Sequence, residues 1–262
     1  MNLLDFIFPK DLYCISCDRP LSEQVEGAIA ICNDCAEDIV WVTGLCCEKC
    51  GRPLAKENRS KLCSDCTAGS SHFYRRGYAS VVYTGTVREM VRDMKYRDKA
   101  WHADTLVSVM TDRYFKLADP ETGELPCHDY IVPVPMNAKK KAKRGYDQAA
   151  LIAQGLSTRI GTPCLVNAIK RVRETKAMSS LSEEERRQNL KGAFSIPFDM
   201  VYIIEGKSIM LVDDVYTTGS SVSACAEVLL AAGAENVDIF VFATKADARR
   251  TEDCPAVVES PG

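Results

Sequence analysis

The sequence lacks several features that would point at once to a functional class. Its 262 residues include only three histidines, and these show neither metal-ligand nor catalytic-triad spacing, so none receives a catalytic role: His72, His102 and His128. No apolar run approaches the roughly 20 residues that cross a bilayer. The formal net charge of −3 argues against general attraction to nucleic acid or membrane. Residues 1–9 carry no basic segment and no cleavage site typical of a signal peptide. A cytoplasmic protein without membrane contact is therefore expected.

Cysteine, in contrast, is abundant. There are 13 cysteines, and nine of them fall between Cys14 and Cys66. An odd total concentrated in Cys-x-x-Cys pairs does not resemble a secreted disulfide framework, and in a reducing compartment such clusters more often bind metal. The four cysteines outside this region are scattered and are interpreted as inert apolar side chains.

The cysteine-rich region contains an internal repeat. Residues 14–21 recur as residues 47–54, both in the pattern Cys-x-x-Cys-x-Arg-Pro-Leu, and a second Cys-x-x-Cys pair follows each copy. Four thiolates close a tetrahedral zinc site, so two structural zinc ions are predicted, with sequential pairing favoured by the repeat: Cys14, Cys17, Cys32 and Cys35, then Cys47, Cys50, Cys63 and Cys66. A crossed pairing, Cys46 in place of Cys47, and an iron–sulfur or redox role remain alternatives.

Beyond residue 76 apolar strand patterns alternate with helical ones, which predicts an α/β fold with a mostly parallel sheet flanked by helices. Strands are predicted at 79–83, 130–135, 164–169, 208–213 and 237–243, and helices from residue 87 and at 146–160 and 220–232. The predicted domains are a zinc module at 1–70 and a larger domain at 71–248, followed by a frayed tail at 249–262.

The most informative segment is residues 209–221, an apolar strand followed by two acids and a hydroxyl-rich turn. Such a strand delivers Asp213 and Asp214 to the sheet edge where ligands of α/β proteins bind. The carboxylates can hydrogen-bond ribose hydroxyls and position Mg²⁺. The turn and the helix start after it can hold a phosphate through backbone N–H groups and hydroxyls, here those of Thr217, Thr218, Gly219, Ser220 and Ser221. The alternative is an ordinary turn with capping acids.

This 13-residue segment resembles the phosphoribosyl pyrophosphate motif of type I phosphoribosyltransferases. Further segments and the cysteine-rich start resemble the ComF family, namely residues 83–97, 132–135, 144–149 and 187–194. The resemblance implies a type I phosphoribosyltransferase domain, similar to amidophosphoribosyltransferases and GntX-like proteins, behind a double zinc ribbon. It also implies phosphoribosyl pyrophosphate with Mg²⁺ as ligand and an association with DNA uptake during competence.

The resemblance assigns roles to two basic segments. Residues 132–148 would hold the loop that receives pyrophosphate, and residues 171–191 would form a loop that closes over the ligand. Residues 137–191 contain 13 Lys and Arg against 5 Asp and Glu, which would attract a polyanion. Arg144 and Arg173 are the preferred ligand contacts, and the alternative for each basic residue is a solvated surface position.

Two functions remain open at this point. The first is an enzyme, a Mg²⁺-dependent phosphoribosyltransferase, although no residue stands out as its general base. The second is a binding module that senses phosphoribosyl pyrophosphate or binds single-stranded DNA through the basic segments, with Tyr96 and Tyr146 stacking on bases. The family resemblance further implies a DNA-uptake helicase as a partner.

Overall fold

The computed structural model of the protein describes residues 13–21, 31–55, 60–68, 72–96, 100, 102–173 and 183–246. Its strands are β1 (Gly77–Val82), β2 (Tyr130–Pro133), β3 (Lys170–Arg171), β4 (Phe194–Ser195), β5 (Ser208–Tyr216) and β6 (Asn236–Thr244). Four of them form a parallel sheet in the order β1, β6, β5, β2, and β3 pairs with β4 in a small antiparallel ribbon. The predicted α/β class with a parallel sheet is confirmed.

Nine helices connect and flank these strands in the described part of the chain. They are α1 (Asn33–Glu37), α2 (Ser64–Thr67), α3 (Gly85–Tyr96), α4 (His102–Phe115), α5 (Ala138–Arg144), α6 (Gln148–Ile160), α7 (Glu183–Leu190), α8 (Phe198–Ile204) and α9 (Ser220–Ala231). None of the helices in these residues is long and apolar enough to span a bilayer.

The sheet separates two apolar cores, because successive side chains of a strand point to opposite faces. Ile209, Leu211 and Val241 face one core, which they share with α9. Met210 and Val212 face the other, together with α3, α4 and α6. The two central strands, β5 and β6, therefore have mostly apolar residues at consecutive positions, as expected for a parallel sheet that is covered on both faces.

The two cysteine repeats contribute to different cores. Cys14 and Cys35 are buried in the core of α3, α4 and α6, whereas Cys47 and Cys63 are buried in the core of α9. The short segment between the repeats, residues 40–42, lies antiparallel along β1. The N–H of Val42 donates to the Ser80 carbonyl (2.9 Å), and the N–H of Val82 donates to the Val40 carbonyl (2.8 Å). The cysteine-rich region thus follows the β1 edge and reaches both faces of the sheet.

Most predicted elements are present with shifted ends. The exception is the strand predicted at residues 164–169, which is not present. Cys164 makes a single parallel bridge to Ile131, and the chain then turns into β3. Here Pro163 and the turn at 166–167 interrupt pairing after one residue. The helices α1, α2, α4, α5, α7 and α8 were not predicted, and α7 lies within the predicted loop 171–191. The predicted tail lies outside the described residues.

Candidate functional site

The acid pair lies toward the C-terminal end of β5. Asp213 stands opposite Val241 in the parallel pairing with β6, and the backbone N–H of Asp214 donates to Asp213 Oδ1 at 2.8 Å. Asp214 is 8% exposed. Burial raises the pKa of Asp213 to about 8, with the negative charge of Asp214 acting in the same direction and Lys95 acting against both. A raised pKa means that Asp213 retains a proton in the free protein up to neutral pH, so the pair becomes fully charged only when a cation binds beside it.

A tight turn connects the acid pair to α9. Gly219 is the N-cap of α9 and has a φ of +74°, in the left-handed region that favours glycine. A Cβ at this position would lie 2.3 Å from the Tyr216 hydroxyl, so no larger residue fits. Because glycine has no side chain, no side-chain cap covers the first N–H groups of α9. A helix start of this kind favours an anion.

The hydroxyl groups of the predicted phosphate loop are present around this turn. The Thr218 and Ser220 hydroxyls lie 3.0 Å apart, and Ser220 is buried while Ser221 is partly exposed. The side chain of Thr217 is exposed, and its carbonyl accepts a hydrogen bond from Arg52. The structure thus places Asp213, Asp214 and the loop 217–221 at the same end of β5, and their role in ligand binding stays a prediction.

Lys95 was not among the predicted site residues. Its Nζ lies 2.6 Å from Asp214 Oδ2, and the side chain is 25% exposed. Its burial could have been predicted from the helical spacing. Lys95 stands four residues after the buried Val91 and eight after the buried Val87, on the same side of the helix. The pattern alone could not show that an acid pair would lie there.

Residues 144–148 contact the end of α3. The Tyr146 hydroxyl and the Gln148 side-chain amide both donate to the Met94 carbonyl, the latter at 3.3 Å. The Arg144 guanidinium donates to the Gln148 side chain and lies 5.6 Å from the centre of the Tyr96 ring. This segment therefore holds the last turn of α3, which carries Lys95. Arg144 is half-buried by these contacts.

A basic helix precedes that segment. The Asn137 side chain caps α5 by accepting from the N–H groups of Lys139 (3.0 Å) and Lys140 (3.3 Å). All four lysines of α5 are exposed: Lys139, Lys140, Lys141 and Lys143. The N–H of Val134 donates to the Val212 carbonyl at 2.9 Å, so the chain leading into α5 runs beside the strand that carries the acid pair. Positive charge and the acid pair therefore share this end of the sheet.

Arg173, the other predicted ligand contact, has backbone partners. Its Nη2 donates to the carbonyls of Asn189 (2.9 Å) and Lys191 (2.7 Å), across the segment 174–182 that lies outside the described residues. A ligand contact by Arg173 would have to replace these bonds or use its remaining donors, so that role stays a prediction.

Two groups of four cysteines are brought together as the repeat predicted. The sulfur atoms of Cys14, Cys17, Cys32 and Cys35 lie within 4.8 Å of one another, as do those of Cys47, Cys50, Cys63 and Cys66. Two of the distances are 3.7 Å and 3.6 Å, close to the edge of about 3.8 Å of a tetrahedron with zinc–sulfur bonds of about 2.3 Å. The clusters are consistent with two structural zinc ions in the sequential pairing.

The two cysteine clusters have the same backbone hydrogen-bond pattern. The N–H of Cys14 donates to the Arg19 carbonyl, and the N–H of Cys47 donates to the Arg52 carbonyl, both at 2.7 Å. Cys46 takes the place that Tyr13 has in the first copy, and its Sγ donates to the Gly44 carbonyl at 3.5 Å. Cys46 therefore lies outside the second cluster, which contains Cys47.

The equivalent arginines of the two repeats have different surroundings. Arg19 donates to Cys17 Sγ (3.2 Å) and pairs with Asp34 at 2.8 Å, and its side chain is 57% exposed. Arg52 pairs with Asp65 at 2.6 Å, and its side chain is 5% exposed. Its Nη2 also donates to the Thr217 carbonyl at 3.3 Å. Among the described residues, it is the arginine of the second repeat that is hydrogen-bonded to the loop 217–221.

Comparison with known proteins agrees with this architecture. Residues 3–67 match the double zinc ribbon domain, and residues 142–259 match the phosphoribosyl transferase domain. Together with the parallel sheet and the two cysteine clusters, these matches define a phosphoribosyltransferase-like protein with an N-terminal double zinc ribbon.

Relatives extend over most of the chain. DNA utilization protein YhgH of Salmonella typhimurium is 32% identical over 228 residues, which are 87% of this chain and 94% of that protein. Competence protein F of Haemophilus influenzae is 29% identical over 88% of this chain and 96% of its own length. Competence protein ComFC of Bacillus subtilis is 25% identical over 85% and 90%. The chain belongs to this family, the ComF family.

Solved structures are more distant. The adenine phosphoribosyl transferase of Trypanosoma brucei aligns with 74% of this chain and 79% of its own at 14% identity, with a TM-score of 0.34. The family assignment does not depend on it.

Proposed function

We propose that this chain binds phosphoribosyl pyrophosphate together with Mg²⁺ at the C-terminal end of β5. The observation that carries the proposal is the meeting of Asp213 and Asp214 with an N–H-rich helix start at one sheet edge. Ribose hydroxyls are suited to the carboxylates and the 5′-phosphate to the loop 217–221. The carboxylate oxygens fit a hard cation, and when bound Mg²⁺ would neutralise part of the pyrophosphate charge.

The charge distribution supports the orientation of the ligand. The lysines of α5 lie at the side of β2, next to the acid pair, where the pyrophosphate group would extend. In phosphoribosyl transfer the bond from C1 of the ribose to pyrophosphate breaks and the leaving group takes the electron pair, while a nucleophilic acceptor donates its own electron pair to form the new bond to C1. Fixed positive charge beside the leaving oxygens stabilises that state. We propose phosphoribosyl transfer as the activity, with sensing of the ligand without turnover as the alternative.

Calorimetry with phosphoribosyl pyrophosphate and Mg²⁺ tests binding directly. The double change Asp213→Asn with Asp214→Asn should lower affinity by at least about 100-fold, since it removes the carboxylate groups that would bind the cation and the ribose hydroxyls. Asp199→Asn, at an exposed position of α8, is the control for a lost carboxylate. Equal binding by the double variant and the control would refute the site. Pyrophosphate release with candidate acceptors then separates transfer from sensing.

A second function is supported by a specific observation, the exposed lysines of α5 close to an exposed aromatic ring. Tyr96 is 76% exposed and has Arg144 against its ring, an arrangement suited to single-stranded DNA. Tyr146 does not share this property, because its hydroxyl is bound to the end of α3. The names of the relatives refer to competence and DNA utilization, so we propose DNA uptake as the setting, in the cytoplasm and with a DNA-uptake helicase as partner.

Fluorescence anisotropy with a labelled oligothymidylate tests this second function. Counterion release predicts weak, salt-dependent binding that decreases when Lys139, Lys140 and Lys141 are replaced by Glu. The control reverses three exposed lysines elsewhere, namely Lys61, Lys116 and Lys207, with the same change in net charge. If both triple variants bind alike at low salt, α5 is not the DNA surface.

A further inference from the structure

Lys95 forms an ion pair with the acid site that most surface lysines would not form. Its Nζ is 2.6 Å from Asp214 Oδ2, and the two side chains are 25% and 11% exposed. A half-buried ammonium beside two carboxylates is therefore the counter-ion of the site when no ligand is present.

Helix α3 is fixed at both ends, so the position of Lys95 is set by the fold. At the N-terminus, Asp38 Oδ2 accepts the N–H of Thr86 at 2.6 Å. At the C-terminus, Tyr146 and Gln148 both donate to the Met94 carbonyl. The last turn of the helix is thus held by the segment that follows α5, and Lys95 extends from that turn to Asp214.

An ammonium and a divalent cation compete for the same carboxylate oxygens, because each neutralises them and the two repel each other. A cation that arrives alone must displace Lys95 and leave a half-buried ammonium without a partner. A cation that arrives with a polyphosphate brings new oxygens to which the ammonium can turn. Displacement is then offset by a new ion pair.

We propose that Lys95 is an internal counter-ion that makes divalent-cation binding at Asp213 and Asp214 depend on the phosphorylated ligand. The free protein binds the cation weakly, and the ligand and the cation strengthen each other's binding by the same factor, as linkage requires. This inference rests on the proposed function. Lys95 acts on the cation through Asp214. Tyr146 and Gln148 fix the position of Lys95 by their hydrogen bonds to the Met94 carbonyl.

The test uses Mn²⁺ as the probe and measures free Mn²⁺ by electron paramagnetic resonance, with and without phosphoribosyl pyrophosphate. Without the ligand, Lys95→Met should bind Mn²⁺ at least about tenfold more tightly than the parent, since one nearby positive charge is removed. Lys95→Arg keeps that charge and should bind Mn²⁺ as weakly as the parent. Arg92→Met removes a charge from an exposed position of the same helix and should change nothing.

Tyr146→Phe provides a second variant in case Lys95→Met does not fold, which far-UV circular dichroism and zinc content would show. It removes one of the two hydrogen bonds to the Met94 carbonyl and should raise the affinity for Mn²⁺ alone by a smaller factor. If Lys95→Met, or Tyr146→Phe in its place, binds Mn²⁺ no more tightly than the parent, Lys95 is not the counter-ion.

Failure of the proposed function looks different. In that case the parent does not bind phosphoribosyl pyrophosphate at all, while the effect of Lys95→Met on Mn²⁺ alone can still be measured. Asp214→Asn shows whether Mn²⁺ binds at the acid pair. Added to Lys95→Met, it should abolish the increase in affinity for Mn²⁺. A gain that survives Asp214→Asn places the Mn²⁺ elsewhere and overturns the inference.

Discussion

Arg52 donates a hydrogen bond of 3.3 Å to the carbonyl of Thr217, and this bond joins the second cysteine cluster to the proposed phosphate loop. The guanidinium also pairs with Asp65, which lies between two cysteines of the cluster. The loop is therefore held from outside the phosphoribosyltransferase-like sheet, by a residue of the zinc ribbon. Ligand binding should depend on the state of that ribbon.

Replacing Arg52 should affect both stability and ligand binding. Arg52→Met leaves Asp65 and the Thr217 carbonyl without this partner, and we expect unfolding to become easier by about 1–2 kcal/mol, because charge-assisted hydrogen bonds are lost while Asp65, whose side chain is 54% exposed, remains solvated. Affinity for phosphoribosyl pyrophosphate should fall as the loop loses its support. Arg19→Met, at the equivalent and exposed position of the first repeat, is the matched control, with an expected cost of less than about 1 kcal/mol. Urea unfolding and calorimetry measure the two effects; equal results for both arginines would contradict this role.

The metal content provides a second prediction. Purified protein should contain two zinc ions per chain, because each closed group of four thiolates takes one. Cys14→Ser and Cys47→Ser should each lose about one zinc ion, whereas Cys46→Ser should retain both since its sulfur lies outside the cluster. Elemental analysis decides the number and the metal. Loss of a zinc ion from Cys46→Ser would show that the second site uses another set of ligands.

Gly219 should tolerate no substitution. Gly219→Ala forces a Cβ to within 2.3 Å of the Tyr216 hydroxyl in a left-handed conformation, so both the turn and ligand binding should be lost. Gly192→Ala separates the two causes, because Gly192 also has a positive φ but has open space around its Cβ position. That control should cost about 1 kcal/mol and leave ligand binding intact. Thermal unfolding and calorimetry provide the comparison.

The environment of Asp238 leads us to expect that the free energy of unfolding depends on pH. It accepts hydrogen bonds from Arg75 and lies 3.0 Å from the His128 ring nitrogen. Although burial alone would raise it, the pKa of Asp238 is lowered to about 2 by the hydrogen bonds from His128 and Arg75. A lowered pKa stabilises the fold above the unfolded value of about 3.9, and this stability is lost as the pH falls through about 2.

The corresponding measurement is urea unfolding between pH 5 and pH 2. From the difference between the two pKa values, about 2 kcal/mol of the parent's stability should disappear over this interval through Asp238 alone. Asp238→Asn should be less stable at neutral pH and should lack this part of the pH dependence. Because zinc loss in acid affects both proteins, the difference between them is the quantity to compare. Parallel curves would contradict the assignment.

Local sequence patterns predicted the elements that depend on neighbouring residues. The strand with its acid pair, the glycine turn and the following helix lie within residues 209–221, and they are present as predicted. The repeat likewise predicted which cysteines meet. The strand at 164–169 was wrong, because an apolar run shows β propensity but not whether a partner strand is available along its length.

What the sequence could not show depends on contacts between distant residues. Lys95 and Asp214 are 119 positions apart in the chain, and Arg52 and Thr217 are 165 apart. The charge of Lys95 alone would place it on the solvated face of its helix, because a charged side chain is usually exposed. Only the parallel pairing of β5 brings the acid pair to the end of α3. Nor does either repeat contain a local sequence pattern that shows which face of the sheet it packs against.

The strand-like segment 40–42 has a consequence for the protein without metal. It covers β1, the outermost strand of the described sheet, with backbone hydrogen bonds on the side that has no other strand. Cysteine clusters lie before and after the segment, so their metals anchor it at both ends. Removal of zinc would expose an apolar strand edge of the kind that recruits strands from other molecules. We therefore expect the zinc-bound ribbons to protect this strand edge from self-association, and chelation to cause aggregation by strand addition.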